Sequence, residues 1–136
     1  MKSFRGTFYL FYYPDDWELK IIENIPSLFH PQGSGALIVV AFRYHDPEGV
    51  DTKRELLRYL KAQNIYGAEH RIVNYELSNS IQASTIEYMH KDRFWFANII
   101  GKDHKYILFL WNSDEIPSSK IALDISKIIK SVIYLD

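Results

Sequence analysis

The sequence predicts one α+β domain, a three-layer α/β/α sandwich built on an antiparallel sheet of about six or seven strands. Short apolar or alternating runs separated by brief turn sequences favour antiparallel pairing. Two segments with helical spacing, one after the third predicted strand and one at the C-terminus, supply a cover for each face of that sheet. A chain of 136 residues, 47% of them hydrophobic, is long enough for one core and too short for two ordinary domains.

The first two predicted strands flank a turn at Pro14. Residues 9–13 read Tyr-Leu-Phe-Tyr-Tyr, and Trp17 opens a second run in which apolar and charged side chains alternate as far as Ile21. Proline fixes its own φ and favours extended geometry before it, while the two aspartates after it can bond their own backbone. We therefore expect Pro14 and Trp17 to be structural, with Trp17 in the core.

A central strand and the first helix follow. Residues 36–42 read Ala-Leu-Ile-Val-Val-Ala-Phe without alternation, which is typical of a strand covered on both faces. Thr52 and Glu55 have the spacing of a capping box, which predicts Thr52 as the N-cap of a helix ending near Gln63–Asn64. The apolar stripe of this helix consists of Leu56, Leu57 and Leu60.

The second half predicts a meander closed by a helix. Strands are predicted at residues 72–77, 83–89, 94–100 and 106–111. Residues 78–80 form the predicted turn between the first two, and the last two strands are apolar on both faces, so they should lie in the middle of the sheet. Residues 117–133 carry isoleucines and a valine at helical spacing, which predicts the closing helix.

Composition excludes several functional classes. With 16 basic and 17 acidic residues the net charge is −1, so no global field attracts nucleic acid. No cysteine is present, which excludes disulfides, thiolate metal sites and cysteine nucleophiles. No apolar stretch approaches the roughly 20 residues of a membrane-spanning helix, so we expect no membrane insertion. The N-terminal residues lack the pattern of a signal peptide, and we expect a cytoplasmic protein, or an exported one whose signal is missing from this sequence.

Catalytic and metal motifs are not evident in the sequence, and we expect neither catalytic residues nor a cofactor. The five histidines are too far apart for two of them to share a ligand face. The alternative is an enzyme or metal-dependent binder that uses the loop after the central strand, where His45, Asp46 and Glu48 could bind a cation or act as base and orienter. A polar turn at Asp46-Pro47 explains the same residues.

Tyrosines are the most distinctive part of the composition, with ten present beside three tryptophans and eight phenylalanines. Tyrosine offers a large contact area with a polar tip and is common in protein interfaces, although it also fills the margins of thin sandwiches. The tyrosines near predicted strand ends or loops are the candidates for binding a partner. They are Tyr12, Tyr13, Tyr44, Tyr66 and Tyr88.

The order of elements resembles the PsbP-like superfamily. The resemblance rests on the aromatic first strand, the Tyr13-Pro14-x-x-Trp17 turn, the central strand, the helix, the antiparallel meander and the closing isoleucine-rich helix. This group includes the photosystem subunit PsbP, a Ran-binding nuclear factor and bacterial domains of unknown function. The resemblance implies a single domain over residues 1–136 that serves mostly to bind other proteins.

From these observations we expect a non-catalytic interaction domain that recognises a protein partner. An immunity-type protein that neutralises a toxin is one specialised form of this hypothesis.

Overall fold

The structure is a computed structural model and describes residues 1–77 and 80–135, which form ten strands and two α-helices. Ser78 and Asn79, part of the predicted turn at residues 78–80, lie outside the described residues. The strands are β1 (Lys2–Arg5), β2 (Tyr9–Tyr13), β3 (Glu18–Ile22), β4 (Ile25–Phe29), β5 (Ala36–Arg43), β6 (Val73–Leu77), β7 (Ile81–His90), β8 (Arg93–Lys102), β9 (Lys105–Ser113) and β10 (Ile133–Tyr134). The α-helices are α1 (Thr52–Ala62) and α2 (Ser119–Lys130), and a 3₁₀ helix, Glu69–Arg71, precedes β6.

Seven strands form the main sheet, in the order β3-β4-β5-β9-β8-β7-β6. Every neighbouring pair is antiparallel, as predicted. The strands predicted to be central, β5, β8 and β9, are all interior, and their register places Val40 opposite Leu108 and Ile107 opposite Ile100.

The two faces of the main sheet bury two separate cores. Leu56 and Leu60 of α1 pack on one face, together with Leu108 and Leu110 of β9. On the other face, β9 presents Ile107, Phe109 and Trp111 to the buried side of α2. The residues of α2 in this core are Ile121, Ile125, Ile128 and Ile129. The predicted α+β sandwich with a helical cover on each face is confirmed.

A second, three-stranded sheet of order β1-β2-β10 shares the layer of α2. Its central strand β2 buries Phe11 and Tyr13 against the main sheet. The sequence predicted that the strands on either side of the Pro14 turn belong to one sheet, and that prediction is wrong. The turn instead carries the chain from β2 in the small sheet to β3 at the edge of the main sheet, with the Trp17 amide donating to the Pro14 carbonyl at 3.1 Å.

Two strands that the prediction omitted make α1 follow the fifth strand, not the third. One is β1, which pairs with β2. The other is β4, which follows Asn24 and contains Pro26, two residue types that are uncommon in strands. Glu23 and Asn24 adopt φ values of 51° and 67°, which suit a two-residue hairpin turn, and Pro26 pairs opposite Ile21 near the sheet edge.

The N-cap of α1 is Asp51, so the predicted Thr52 cap is wrong by one residue. The Asp51 side chain accepts from the Arg54 amide at 3.1 Å. Thr52 is already helical and buried, and its hydroxyl bonds Ser84 of β7 at 2.8 Å. The far end is as predicted, because Asn64 adopts a φ of 62°, the left-handed conformation that terminates helices.

Among the described residues, neither helix has the length and apolar character that crossing a membrane requires.

Candidate functional site

The loop after β5 does not gather its acidic and histidine side chains into a site. His45, Asp46 and Glu48 are all exposed. Asp46 Oδ1 accepts from the Glu48 amide at 3.0 Å and the Asp46 carbonyl accepts from the Gly49 amide at 3.1 Å, so this carboxylate organises a turn. Within residues 1–77 and 80–135, their ligand atoms do not converge as a group of three. The geometry therefore gives the enzymatic or metal-binding alternative no support at this loop.

The five candidate tyrosines do not form one surface. Tyr13 and Tyr88 belong to the two cores, with 6% and 4% of their surface exposed, so the prediction that they contact a partner is wrong. Both sit on inward-facing positions of alternating strands. Tyr12 is exposed on the small sheet, which lies on the face opposite α1. Tyr44 accepts a hydrogen bond from Arg54 near the start of α1, and Tyr66 follows the end of that helix.

A polar network around Trp17 joins three distant segments. Trp17, 1% exposed, donates from Nε1 to Asp124 Oδ2 on α2 at 2.9 Å. Lys120 Nζ lies 2.9 Å from the same oxygen and 3.1 Å from Asp16 Oδ2. Buried His30, at the end of β4, completes the chain with its Nε2 atom 2.9 Å from Asp16 Oδ2. The predicted burial of Trp17 is observed, whereas this network was missed because its members are far apart in sequence.

The network has the composition of a metal site, because the ligand atoms of Asp16, His30 and Asp124 all lie within 4.8 Å of one another. The atoms that could bind a metal ion nevertheless already make hydrogen bonds or ion pairs within the protein. The Lys120 ammonium already bridges the two carboxylates as their cation. His30 Nδ1 accepts from the Gln32 amide at 3.1 Å, so Nε2 carries the ring hydrogen and donates it to Asp16. We assign this cluster a structural role, fastening the Pro14 turn and β4 to α2.

The largely apolar groove, which we call the α2 groove, lies between α2 and the half of the main sheet formed by β6, β7 and β8. Its volume is about 340 Å³, within the range of small binding pockets. The floor is formed by strand residues that include Tyr75, Thr85, Phe94, Phe96 and Asn98. The α2 wall is formed by Ala122, Ile125, Ser126 and Ile129.

The α2 groove exists because the cover on this face is incomplete. Phe11 of the small sheet packs against Phe109 of β9, with ring centroids 6.2 Å apart, and α2 lies beside it. The strands β8, β7 and β6 extend beyond this cover to the sheet edge. There Val73 and Met89, opposite the lining residues Thr85 and Phe94, are 58% and 62% exposed. The apolar surface therefore continues from the groove towards the edge strand.

Asn98 is the unusual residue of the α2 groove. Its side chain is 1% exposed, and its Oδ1 atom accepts from the Tyr75 hydroxyl at 2.6 Å. Burial raises the pKa of Tyr75 and its bond to Asn98 partly offsets that effect, so the phenol stays protonated and can donate. Within the part of the chain that the structure describes, Asn98 Nδ2 has no hydrogen-bond partner. A lone asparagine within the apolar run 94–100 was the signal in the sequence, and the prediction did not use it.

These two sheets, the two helical covers and their order define a PsbP-like fold. The solution structure of cyanobacterial PsbP (CyanoP) from Synechocystis sp. PCC 6803 superposes with a TM-score of 0.69 over 98% of this chain and 91% of that one, at 14% identity. A crystal structure from Bacteroides thetaiotaomicron VPI-5482 gives a TM-score of 0.66 at 14% identity over 99% of this chain. This chain covers 48% of that protein, about half its length.

At these identities the two structures establish the fold alone, and the predicted resemblance to PsbP is confirmed at that level. No protein-family model matches the sequence. No curated protein matches it either.

Proposed function

We propose that this chain is a non-catalytic binding module that recognises a protein partner through the α2 groove. The observation that carries the proposal is the groove itself, an apolar concavity of about 340 Å³ that continues onto exposed Val73 and Met89. Exposed apolar surface of this kind is characteristic of interaction sites. The PsbP-like fold supports a protein as the partner, because the resemblance in sequence associates this scaffold with binding other proteins.

Side-chain chemistry at the groove also favours binding over catalysis. The groove is lined mainly by aromatic and aliphatic side chains, and its acidic and basic lining residues, Glu87 and Lys130, are exposed. A general acid or base works best when burial or a charged neighbour tunes its pKa towards the working pH. A histidine and carboxylates do lie together in the Trp17 network, away from the groove. There Asp124 already pairs with Lys120, and His30 Nδ1 already accepts a hydrogen bond from a backbone amide.

Photo-crosslinking in cells of the organism that produces this protein tests the proposal. Met89 is replaced by a benzoylphenylalanine photoprobe, which sits beside the groove opposite Phe94. We expect a discrete protein adduct on irradiation. A second substitution, Ala122→Trp, places an indole in the groove and should abolish the adduct, while circular dichroism shows that the domain remains folded.

The matched control carries the photoprobe at Ile21, which is 53% exposed on β3 at the opposite edge of the main sheet. This position should not give the same adduct. The proposal is wrong if Met89 forms no adduct, or if its adduct survives Ala122→Trp. The identity of the captured protein would also show whether the partner is a toxin, as the immunity-type version requires.

A further inference from the structure

We propose that the partner segment bound in the α2 groove inserts an uncharged group that is largely apolar and carries a carbonyl oxygen, which accepts a hydrogen bond from Asn98 Nδ2. This inference rests on the proposed function and specifies the chemistry that the groove recognises. It depends on Asn98 Nδ2, a side-chain atom of the groove floor that is buried and has no hydrogen-bond partner among the described residues.

The unpaired amide of Asn98 favours a group that can accept a hydrogen bond. A carboxamide has two N–H donors, and a buried donor without a partner is costly, so native interiors rarely leave one unmade. The Tyr75 hydroxyl donates to Oδ1, which leaves Nδ2 as the end of the side chain without a partner among the described residues. Because Asn98 lines the α2 groove, an acceptor that enters between the sheet and α2 comes next to this side chain.

The charges that line the groove favour an uncharged acceptor. Lys130 and Glu87 have opposite signs, and both are exposed at its margin. Neither provides a buried countercharge beside Asn98. A carboxylate on the inserted group would lose its hydration without gaining an ion pair, which disfavours it strongly. A ketone, ester or amide carbonyl has a much smaller desolvation cost, and its apolar body can contact Phe94 and Phe96.

Among the described residues, one further buried side-chain atom lacks a hydrogen bond, but it does not indicate a binding site. It is Glu55 Oε2, which lies 4.0 Å from Arg54 Nε, while the other oxygen of that carboxylate pairs with Arg58 at 2.9 Å. The charge of Glu55 is therefore already matched. Asn98 differs because its unpaired atom belongs to a residue that lines a groove.

Three small probes of similar shape test the inference by protein NMR on the full chain: acetophenone, ethylbenzene and benzoate. They share an aromatic body but carry a neutral carbonyl, no acceptor and a carboxylate, respectively. We expect acetophenone to bind about three- to tenfold more tightly than ethylbenzene, the factor that one net hydrogen bond supplies. It should also shift the side-chain NH₂ resonances of Asn98, and benzoate should bind most weakly.

Asn98→Leu should remove the preference for acetophenone over ethylbenzene. The matched control is Tyr75→Phe, which removes the hydroxyl bonded to Oδ1 but keeps the amide donor, and so should retain the preference. If Asn98→Leu does not fold, the wild-type NH₂ shifts and the ranking of the probes decide the question. Equal binding of acetophenone and ethylbenzene, strongest binding of benzoate, a preference that survives Asn98→Leu, or no binding of any probe would each overturn the inference.

Failure of this inference is distinguishable from failure of the proposed function. A Met89 photo-adduct that Ala122→Trp abolishes, together with equal binding of the probes, would keep the protein-binding groove and reject the carbonyl. Loss of the photo-adduct with the acetophenone preference intact would reject the protein partner as occupant, and with it the inference as stated.

Discussion

Trp17 stabilises the fold through both apolar contacts and one directed hydrogen bond. Its ring packs edge-on against Trp111 at 6.0 Å and His30 at 5.4 Å, between centroids. Its Nε1 hydrogen is donated to Asp124, so the polar atom of the indole is satisfied in the interior. A single side chain thus links the start of β3 to β4, β9 and α2.

Trp17→Ala should lower the free energy of unfolding by about 3–5 kcal/mol, the range for truncating a buried aromatic residue. The substitution leaves a cavity and also removes a donor from Asp124. Urea denaturation followed by circular dichroism measures the loss. Ile21→Ala, at a 53% exposed position four residues away, is the control and should change stability by less than about 0.5 kcal/mol. A small loss for Trp17→Ala would show that the ring is dispensable to the core.

Individual residues differed in how far the sequence could predict them. The burial of Trp17 followed from alternation and the proline turn, both of which are local patterns. The network of Asp16, His30 and Asp124 depends on residues 14 and 94 positions apart meeting in space, which no local pattern encodes. Asn98 was visible as a polar interruption, but its missing partner is a property of the packed sheet.

At the level of elements, local sequence patterns predicted which helices and strands form better than they predicted which strands pair. The helices and the meander of β7, β8 and β9 were predicted because their apolar periodicities are long and unambiguous. The small sheet was not, because β10 has only two residues and its pairing with β2 joins opposite ends of the chain. The strand β4 was missed because proline usually disfavours a strand. Near a sheet edge, however, proline is tolerated, and Pro26 pairs there with Ile21.

The start of α1 offers a test at this scale. Asp51→Ala removes the side-chain acceptor for the Arg54 amide and should cost about 1 kcal/mol of stability, whereas Asp51→Ser should retain most of it. Thermal or urea unfolding of both variants measures the difference. Thr52→Ser serves as the comparison, since it keeps the hydroxyl that bonds Ser84. Equal losses for Asp51→Ala and Asp51→Ser would mean that the hydrogen bond to Arg54 does not stabilise the helix.

For the whole molecule, the arrangement of the layers explains why the α2 groove is open and how α2 is held in place. One side of the main sheet is covered by α1, and the other by α2 together with the small sheet. Because that second cover lies over β9 and its surroundings, part of β6, β7 and β8 stays open beside α2. The Trp17 network lies in the same layer and ties α2 to the Pro14 turn through Lys120 and Asp16. The wall of the groove is therefore held in place by ionisable groups.

Because of these carboxylates, the stability of the whole domain should decrease at acidic pH. Hydrogen bonds from His30 and then from Lys120 lower the pKa of Asp16 in the folded protein. Burial alone would raise the pKa of Asp124, but hydrogen bonds from Trp17 and Lys120 outweigh it, and the net direction is down. Both groups start from an ordinary value of 3.8. Since the unfolded chain takes up these protons first, their contribution is fully present above that value and is lost as pH falls through the lower, folded pKa values.

We expect the urea midpoint of the wild-type protein to fall as the pH is lowered from about 5 through the ordinary carboxyl value of 3.8 and below it, because these two carboxylates then take up protons. In Asp16→Asn and Asp124→Asn, the titrating group is absent, so both variants should be less stable than wild type at pH 6 and should lose less stability on acidification. Asp103→Asn, at an exposed turn position with a φ of 57° that asparagine also tolerates, should follow the wild-type curve. Parallel curves for wild type, Asp16→Asn and Asp124→Asn would show that the network contributes nothing to acid sensitivity.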